Sequence, residues 1–377
     1  MGTGILSNAL GAGHEPSPIC PSLNHMRIAQ VAPLWEKIPP PLYGGTERIV
    51  HYLTEELVRR GHKVTLFATG DSKTRAKLVS VYPRPLYRNH IPWTNFLYPT
   101  LNYVAAFKRE GEFDIIHCHH GQAQDYVALA LARCLNTPVV HVLNFTLPIE
   151  EPRKDERMMI EQFKEANFIS ISNSQRKMSN LNWVATVHHG IDIRRFRFQE
   201  KGGEYLAWFG RFSEVKGARE AIQVAKRLGE RLVLAGKIDS GFPQDFQYYK
   251  EEIAPRIDGK QIRYIGELND KQKDRFLGGA KALLNPILWD EPFGIVPIEA
   301  MATGTPVIAF ERGALVETVK DGVTGYLCGS IAEMMEKMSK IDKISRKACR
   351  LHVEKNFSVK RMVDKYENLY RRLVKKG

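Results

Sequence analysis

Residues 28–68 read IAQVAPLWEKIPPPLYGGTERIVHYLTEELVRRGHKVTLFA, and the order of features along them decides the fold class. Ile28 to Ala32 is an apolar run of strand length. A loop with Pro39, Pro40 and Pro41 leads to Gly44-Gly45-Thr46-Glu47. Ile49, Val50, Leu53, Leu57 and Val58 then recur at helical spacing, and Gly61 stands where a C-terminal cap belongs. Val64 to Ala68 reads as a buried strand. Strand, glycine-rich turn, helix and strand make one doubly wound α/β unit, whose ligand crevice lies at the carboxyl ends of its strands. The spacing Gly-x-Gly-x-x-Gly is absent, so dinucleotide binding is not expected.

The pattern continues along the chain. Asp114 to His117, Pro138 to Val142 and Phe168 to Ser172 are strand candidates, with a helix expected over Asp125 to Cys134. A second alternating series begins near Gly203. It predicts strands at Tyr205 to Phe209, Arg231 to Ala235, Ile262 to Ile265, Ala282 to Pro286 and Pro306 to Ala309, and helices at Ala218 to Leu228 and Lys271 to Lys281. Two doubly wound halves follow, joined around Gly190 to Gly203, and Phe357 to Leu373 reads as a final helix. At 377 residues the chain is long enough for two domains, each with its own core.

Glu291 and Glu299 straddle the expected start of a helix in the segment Glu291-Pro292-Phe293-Gly294-Ile295-Val296-Pro297-Ile298-Glu299. Pro297 is tolerated in a first turn. At ~1.5 Å rise per residue, the two acids stand at levels roughly 7 Å apart. Between them lie the free amides of the first turn, at the positive end of the helix dipole. The order acid, amides, acid matches sugar, phosphate and ribose in a nucleotide sugar. An exposed capping carboxylate and an ordinary helical Glu are the alternative reading of the pair.

Gly210-Arg211-Phe212-Ser213-Glu214-Val215-Lys216-Gly217 follows directly on the first strand of the second half. The guanidinium of Arg211 and the ammonium of Lys216 suit a diphosphate and can neutralise its charge as a glycosidic bond breaks. This is not a P-loop, since no Gly-x-x-x-x-Gly turn precedes Lys216. Gly44 and Gly45 hold the mirror position in the first half, where missing side chains let the backbone approach an anion. Gly236 and the turn Gly266-Glu267-Leu268 end further strands facing the same crevice. His117-Cys118-His119-His120 closes another, without a zinc-like partner set.

These motifs together resemble the family 4 glycosyltransferases, whose signature is a Glu, seven residues and a second Glu, with Pro-Phe-Gly after the first. The shared Gly-Arg to Lys-Gly pattern and the linker residues His189-Gly190-Ile191-Asp192 and Phe196 strengthen the likeness, which covers nearly the whole chain after Met26. The resemblance implies a glycosyltransferase B fold, two Rossmann-like domains facing across a cleft. One would span residues 26–196 and be rejoined by the C-terminal helix 357–377, and the other would span 203–356. It implies that Glu291, with the amides of Phe293, Gly294, Ile295 and Val296, meets the donor, that Glu299 holds the ribose, and that His119, with His120 as rival, contacts the sugar. Gly266 to Leu268 would meet the nucleobase through backbone groups, and Gly44 and Gly45 the diphosphate or the acceptor.

The expected activity is transfer of a hexose from a UDP- or GDP-hexose to an acceptor hydroxyl on a small molecule, glycan or lipid, and the resemblance implies retention at the anomeric carbon. No cofactor beyond that co-substrate and no metal are expected. The rivals are an epimerase or hydrolase on the same scaffold and a non-catalytic binder of anions or membranes. The net charge of +13 concentrates in residues 59–90 and 341–377, so an anionic membrane surface is a candidate partner, against a plain solvated face. No nucleic-acid module is present. Five scattered cysteines without a Cys-x-x-Cys spacing fit a reducing cytosol. Residues 1–25 contain no Lys or Arg and read as an extension outside the fold.

Overall fold

The computed structural model describes residues 25–42, 44–145, 154–177 and 179–375, so the proposed extension lies outside the described residues except for His25. Strands β1 (Arg27–Val31), β2 (Lys63–Phe67), β3 (Lys77–Val79), β4 (Ile115–His120), β5 (Val139–Leu143), β6 (Phe168–Ser170) and β7 (Trp183–Thr186) form one sheet. It is parallel throughout, in the order β3-β2-β1-β4-β5-β6-β7. Helices α1 (Gly45–Arg59), α2 (Leu97–Phe107), α3 (Val127–Ala132), α4 (Lys154–Gln162) and α5 (Asn173–Arg176) connect its strands. A parallel sheet is covered on both faces. Accordingly Ile28 enters the core beneath α1, while Ala29 and Val31 enter a second cluster on the opposite face.

The second sheet repeats the plan with β8 (Leu206–Phe209), β9 (Leu232–Ala235), β10 (Ile262–Tyr264), β11 (Ala282–Asn285), β12 (Val307–Phe310) and β13 (Gly325–Cys328). Its order is β10-β9-β8-β11-β12-β13, again all parallel. Around it lie α6 (Ala218–Leu228), α7 (Pro243–Tyr248), α8 (Asp270–Gly278), α9 (Ile295–Ala302), α10 (Leu315–Thr318), α11 (Ile331–Met338) and α12 (Arg346–Asn356). Last comes α13 (Val359–Val374). The helix expected to run to Lys281 stops at Gly278, because Gly278-Gly279 gives up helix propensity at both positions. No helix among the described residues is long and apolar enough to cross a membrane.

The chain crosses between the halves twice, and the crossings pair. Ile191 N–H donates to Phe357 O at 2.8 Å and Val359 N–H to Ile191 O at 3.1 Å. Gly190 sits so tightly there that a Cβ would stand 2.4 Å from Ser358 O. Beyond this crossing α13 lies on the first domain. Arg60, which caps the end of α1, bonds Asp364 and Glu367, at 2.7 and 2.8 Å, and Tyr366 and Tyr370 are fully buried.

Each sheet reverses direction in strand order at one point, between β1 and β4 and between β8 and β11. A ligand crevice forms where neighbouring loops diverge in this way. The loops after β1 and β4 carry Gly44-Gly45 and follow the His117–His120 run. Those after β8 and β11 carry Arg211 to Lys216 and Glu291. The topology therefore gathers the expected site residues at two facing switch points.

Candidate functional site

At the second domain's switch point the strand ends zip together through backbone bonds. Gly210 N–H donates to Ala235 O at 3.1 Å, and Gly236 N–H to Gly266 O at 3.0 Å. Gly236 holds φ +136°, and a Cβ there would lie 1.7 Å from Gly210 O, so only glycine fits. Gly217, at φ +71°, turns the Arg211 to Lys216 loop against Pro286 O, which places it beside the loop after β11.

That placement brings Lys216 Nζ to 2.6 Å from Glu291 Oε2. The same carboxylate oxygen accepts Trp289 Nε1–H at 2.9 Å, and the ammonium stands 4.7 Å from the Trp289 ring centroid. Arg211 meets Asp245 of α7 at 3.0 Å and lies 5.0 Å over the Phe242 ring, with its Nε–H unpartnered among the described residues. Burial raises the Asp245 carboxyl above the usual carboxylate range, against the lowering pull of Arg211.

Gly294 caps α9 at φ +82°, leaving Glu291 just outside the helix and Glu299 inside it. The N–H groups of Phe293 and Gly294 find no hydrogen-bond partner among the described residues, and those of Ile295 and Val296 are first-turn orphans. Pro297 supplies no donor, so the amide cluster ends at Val296. Phe293 is buried edge-on against His189 of the linker, 4.9 Å between centroids. Glu299 is 1% exposed and ion-paired with Lys273 of α8, a partner that no motif had pointed to. Leu268 is buried, and Gly266 has φ +85°.

Across the cleft, Gly45 opens α1 opposite α9, and a Cβ on it would stand 3.3 Å from Ile295 Cδ1. Gly44, at φ +140°, caps α1 against Pro40. Of the three histidines in β4, His120 bonds His141 at 3.0 Å and His117 bonds Tyr370 at 2.7 Å. His119 Nε2–H donates to Gln30 Oε1 at 2.7 Å, leaving its Nδ1 without a partner among the described residues. Burial, reinforced by His189, pushes the His119 pKa down to about 3. At neutral pH it offers a lone pair and no charge.

Two loops seal the mouth of the cleft, neither visible as a motif. Trp93 of the first domain packs edge-on against Trp35 at 4.9 Å and against Phe242 of the second at 4.6 Å. Tyr87 O–H donates to Asp239 Oδ1 at 3.1 Å, and Lys237 lies 3.6 Å from the Tyr87 ring centroid. Phe242 thus couples the first domain to Arg211.

Comparison with known proteins fits this geometry. A family model described as Glycosyltransferase Family 4 matches residues 43–236, and one described as Glycosyl transferases group 1 matches 191–354. The chain belongs to glycosyltransferase family 4. Among curated relatives, an uncharacterized glycosyltransferase of Methanocaldococcus jannaschii is 26% identical over 80% of this chain and 84% of its own length. A phosphatidyl-myo-inositol mannosyltransferase of Mycolicibacterium smegmatis is 25% identical, covering 80% of each chain. The fold matches a solved sucrose-phosphate synthase of Thermosynechococcus elongatus with TM-score 0.78 at 19% identity, over 94% of this chain and all of that one. Anabaena HepE, solved in complex with UDP-glucose, matches at TM-score 0.70 and 17% identity over 93% of this chain and all of that one. As a family 4 member, this chain is a glycosyltransferase with the glycosyltransferase B fold.

Proposed function

We propose that this glycosyltransferase moves a hexose from a UDP- or GDP-hexose to an acceptor hydroxyl, with retention at the anomeric carbon and without a resident metal. The observation that carries the reading is the 2.6 Å contact between Lys216 Nζ and Glu291 Oε2. A cation for the diphosphate and an acid for sugar hydroxyls stand side by side where the α9 amides open. The solved complex of HepE with UDP-glucose supports a nucleotide-sugar donor.

On donor binding, Lys216 and Arg211 take the diphosphate oxygens, and the Phe293 to Val296 amides complete the anion site. These preorganised charges stabilise the leaving diphosphate as the bond from the anomeric carbon to its phosphate oxygen breaks. The acceptor oxygen bonds to the same face of that carbon. Its proton passes to an oxygen of the leaving diphosphate. His119, neutral, accepts a sugar hydroxyl at Nδ1, and Glu299 exchanges Lys273 for the ribose hydroxyls.

Thermal shift against UDP, GDP and ADP and their hexoses tests the donor, since ligand at 100 times its Kd stabilises by about 2.7 kcal/mol. Proton NMR of the transferred sugar then reads the anomeric configuration, and an inverted product refutes the same-face mechanism. Activity abolished by chelation and restored by a divalent ion refutes metal independence.

A further inference from the structure

On the outer edge of the second sheet, strand β10 borders α8, and the space between them runs from Lys260 and Arg231 at the start of the strands to Leu268 at their cleft end. Alternation puts Gln261, Arg263 and Ile265 on one face of this edge strand, and the register Arg263 to Val233 to Ala207 continues that face across the sheet. Helix α8 packs over the same face. Between helix and strand a cavity of about 540 Å³ remains. Tyr205, Val233 and Phe276 give it an apolar lining, and Ile265 is 42% exposed beside it.

Four cations border this cavity, Arg231, Lys260, Arg263 and Arg275, and no Asp or Glu lines it. Arg231 reaches outward to Glu204 at 2.6 Å. Lys260, Arg263 and Arg275 have no ion-pair partner among the described residues. Protection of an exposed edge accounts for a charge on β10. It does not account for Arg275, which approaches from the facing helix. Like charges converging on one space without an acid repel one another, and that cost is removed by an anion between them.

We propose that this cavity is a second, non-catalytic ligand site, which takes a phosphate monoester with an apolar body. The guanidinium groups of Arg263 and Arg275 hold the phosphate from two sides, as bidentate donors do, and the apolar lining covers the body. The site communicates with the cleft through α8. The helix that presents Arg275 also carries Lys273, paired with Glu299, and Asp270, paired with Arg48. An occupant that draws Arg275 inward shifts the helix holding both pairs.

Phenyl phosphate titrated calorimetrically against the full chain tests the site. Saturable binding is expected in the wild type and in Arg211→Ala/Lys216→Ala, and about tenfold weaker binding in Arg263→Ser/Arg275→Ser. All four positions are at least partly exposed, and circular dichroism verifies folding. Binding lost with Arg211 and Lys216 but kept without Arg263 and Arg275 places the phosphate in the donor cleft and overturns the proposal, as does no saturable binding. UDP affinity is expected to change when phenyl phosphate is present in the wild type and not in Arg263→Ser/Arg275→Ser; an unchanged wild-type affinity overturns the coupling. Pelleting with phosphatidic acid vesicles that depends on Arg263 and Arg275 assigns a lipid headgroup, and its absence assigns a free ester.

Discussion

Arg48, on the first helix of the first domain, is ion-paired at 2.7 Å with Asp270, the residue that opens α8 in the second. The Arg48 side chain is 5% exposed, and its Nη2 donates to the carbonyls of Pro40 and Leu42. Asp270 also receives Arg195 of the linker at 2.7 Å. One carboxylate therefore ties the proline-rich loop, the linker and the second domain together. Asp270→Asn leaves a buried guanidinium without its counter-charge, a cost of roughly 3 kcal/mol. The expected result is a larger radius of gyration in solution scattering and a higher KM for donor. Unchanged scattering would show that closure does not depend on the pair.

The contact between Lys216 and Glu291 predicts strong coupling in activity. Lys216→Ala removes a cation from the leaving diphosphate and is expected to lower kcat by about 10² to 10³. Glu291→Ala is expected to cost a comparable factor, since it removes sugar contacts and the partner that orients the ammonium. Because the two side chains touch, the double variant should lose less than the product of the single losses. A double-mutant cycle measures this, and simple multiplication would mean that the two act independently.

How legible all this was in the sequence depends on the range of the interaction. Gly45 to Arg59 declared itself through local periodicity and capping glycines, and both sheets followed from alternation of such units. Glu291 and Lys216 were readable because strand ends in this topology converge at a switch point. Lys273 and Asp245 were not, since each meets its partner across tens of residues of chain and stands on a helix face that looks solvated in sequence. Strand β7 escaped because its four residues are half-buried with no alternation to betray them. Trp93 and Phe242 meet only through tertiary packing, and neither carries a local signature.

Glu47 lies buried at the start of α1, and burial, aided by Glu36 and Asp125, pushes its carboxyl up to about 7 from 4.5. A raised carboxyl pKa means that the folded state holds the proton more tightly than the unfolded chain. Its stabilising contribution is full below about 4.5 and is lost as pH rises through 7, a change on the order of 3 kcal/mol. Glu47→Gln, which cannot ionise, is therefore expected to gain several degrees in Tm over the wild type at pH 8 and little at pH 5. Equal differences at the two values would place Glu47 in contact with water or a cation.

The buried histidines act in the opposite sense. Burial lowers His119, His141 and His189 to about 3, and His117 and His120 well below their usual value. Below pH 6.5 the unfolded chain takes up five protons that the folded one refuses, so acid favours unfolding. Glu47 and Asp125, both raised to about 7, offset two of these between pH 4.5 and 6.5. Asp245 and Glu267, also raised by burial, offset more of the uptake, and His51 and His352, also lowered by burial, add to it, so unfolding still takes up protons on balance near pH 5.5. Tm should fall between pH 6.5 and 5, and His141→Phe should make that fall shallower, because its ring nitrogen no longer titrates in the unfolded chain. A Tm that stays level across this interval would mean that the β4 histidines are already charged in the folded domain, and with that charge His119 could not present a free lone pair to a sugar.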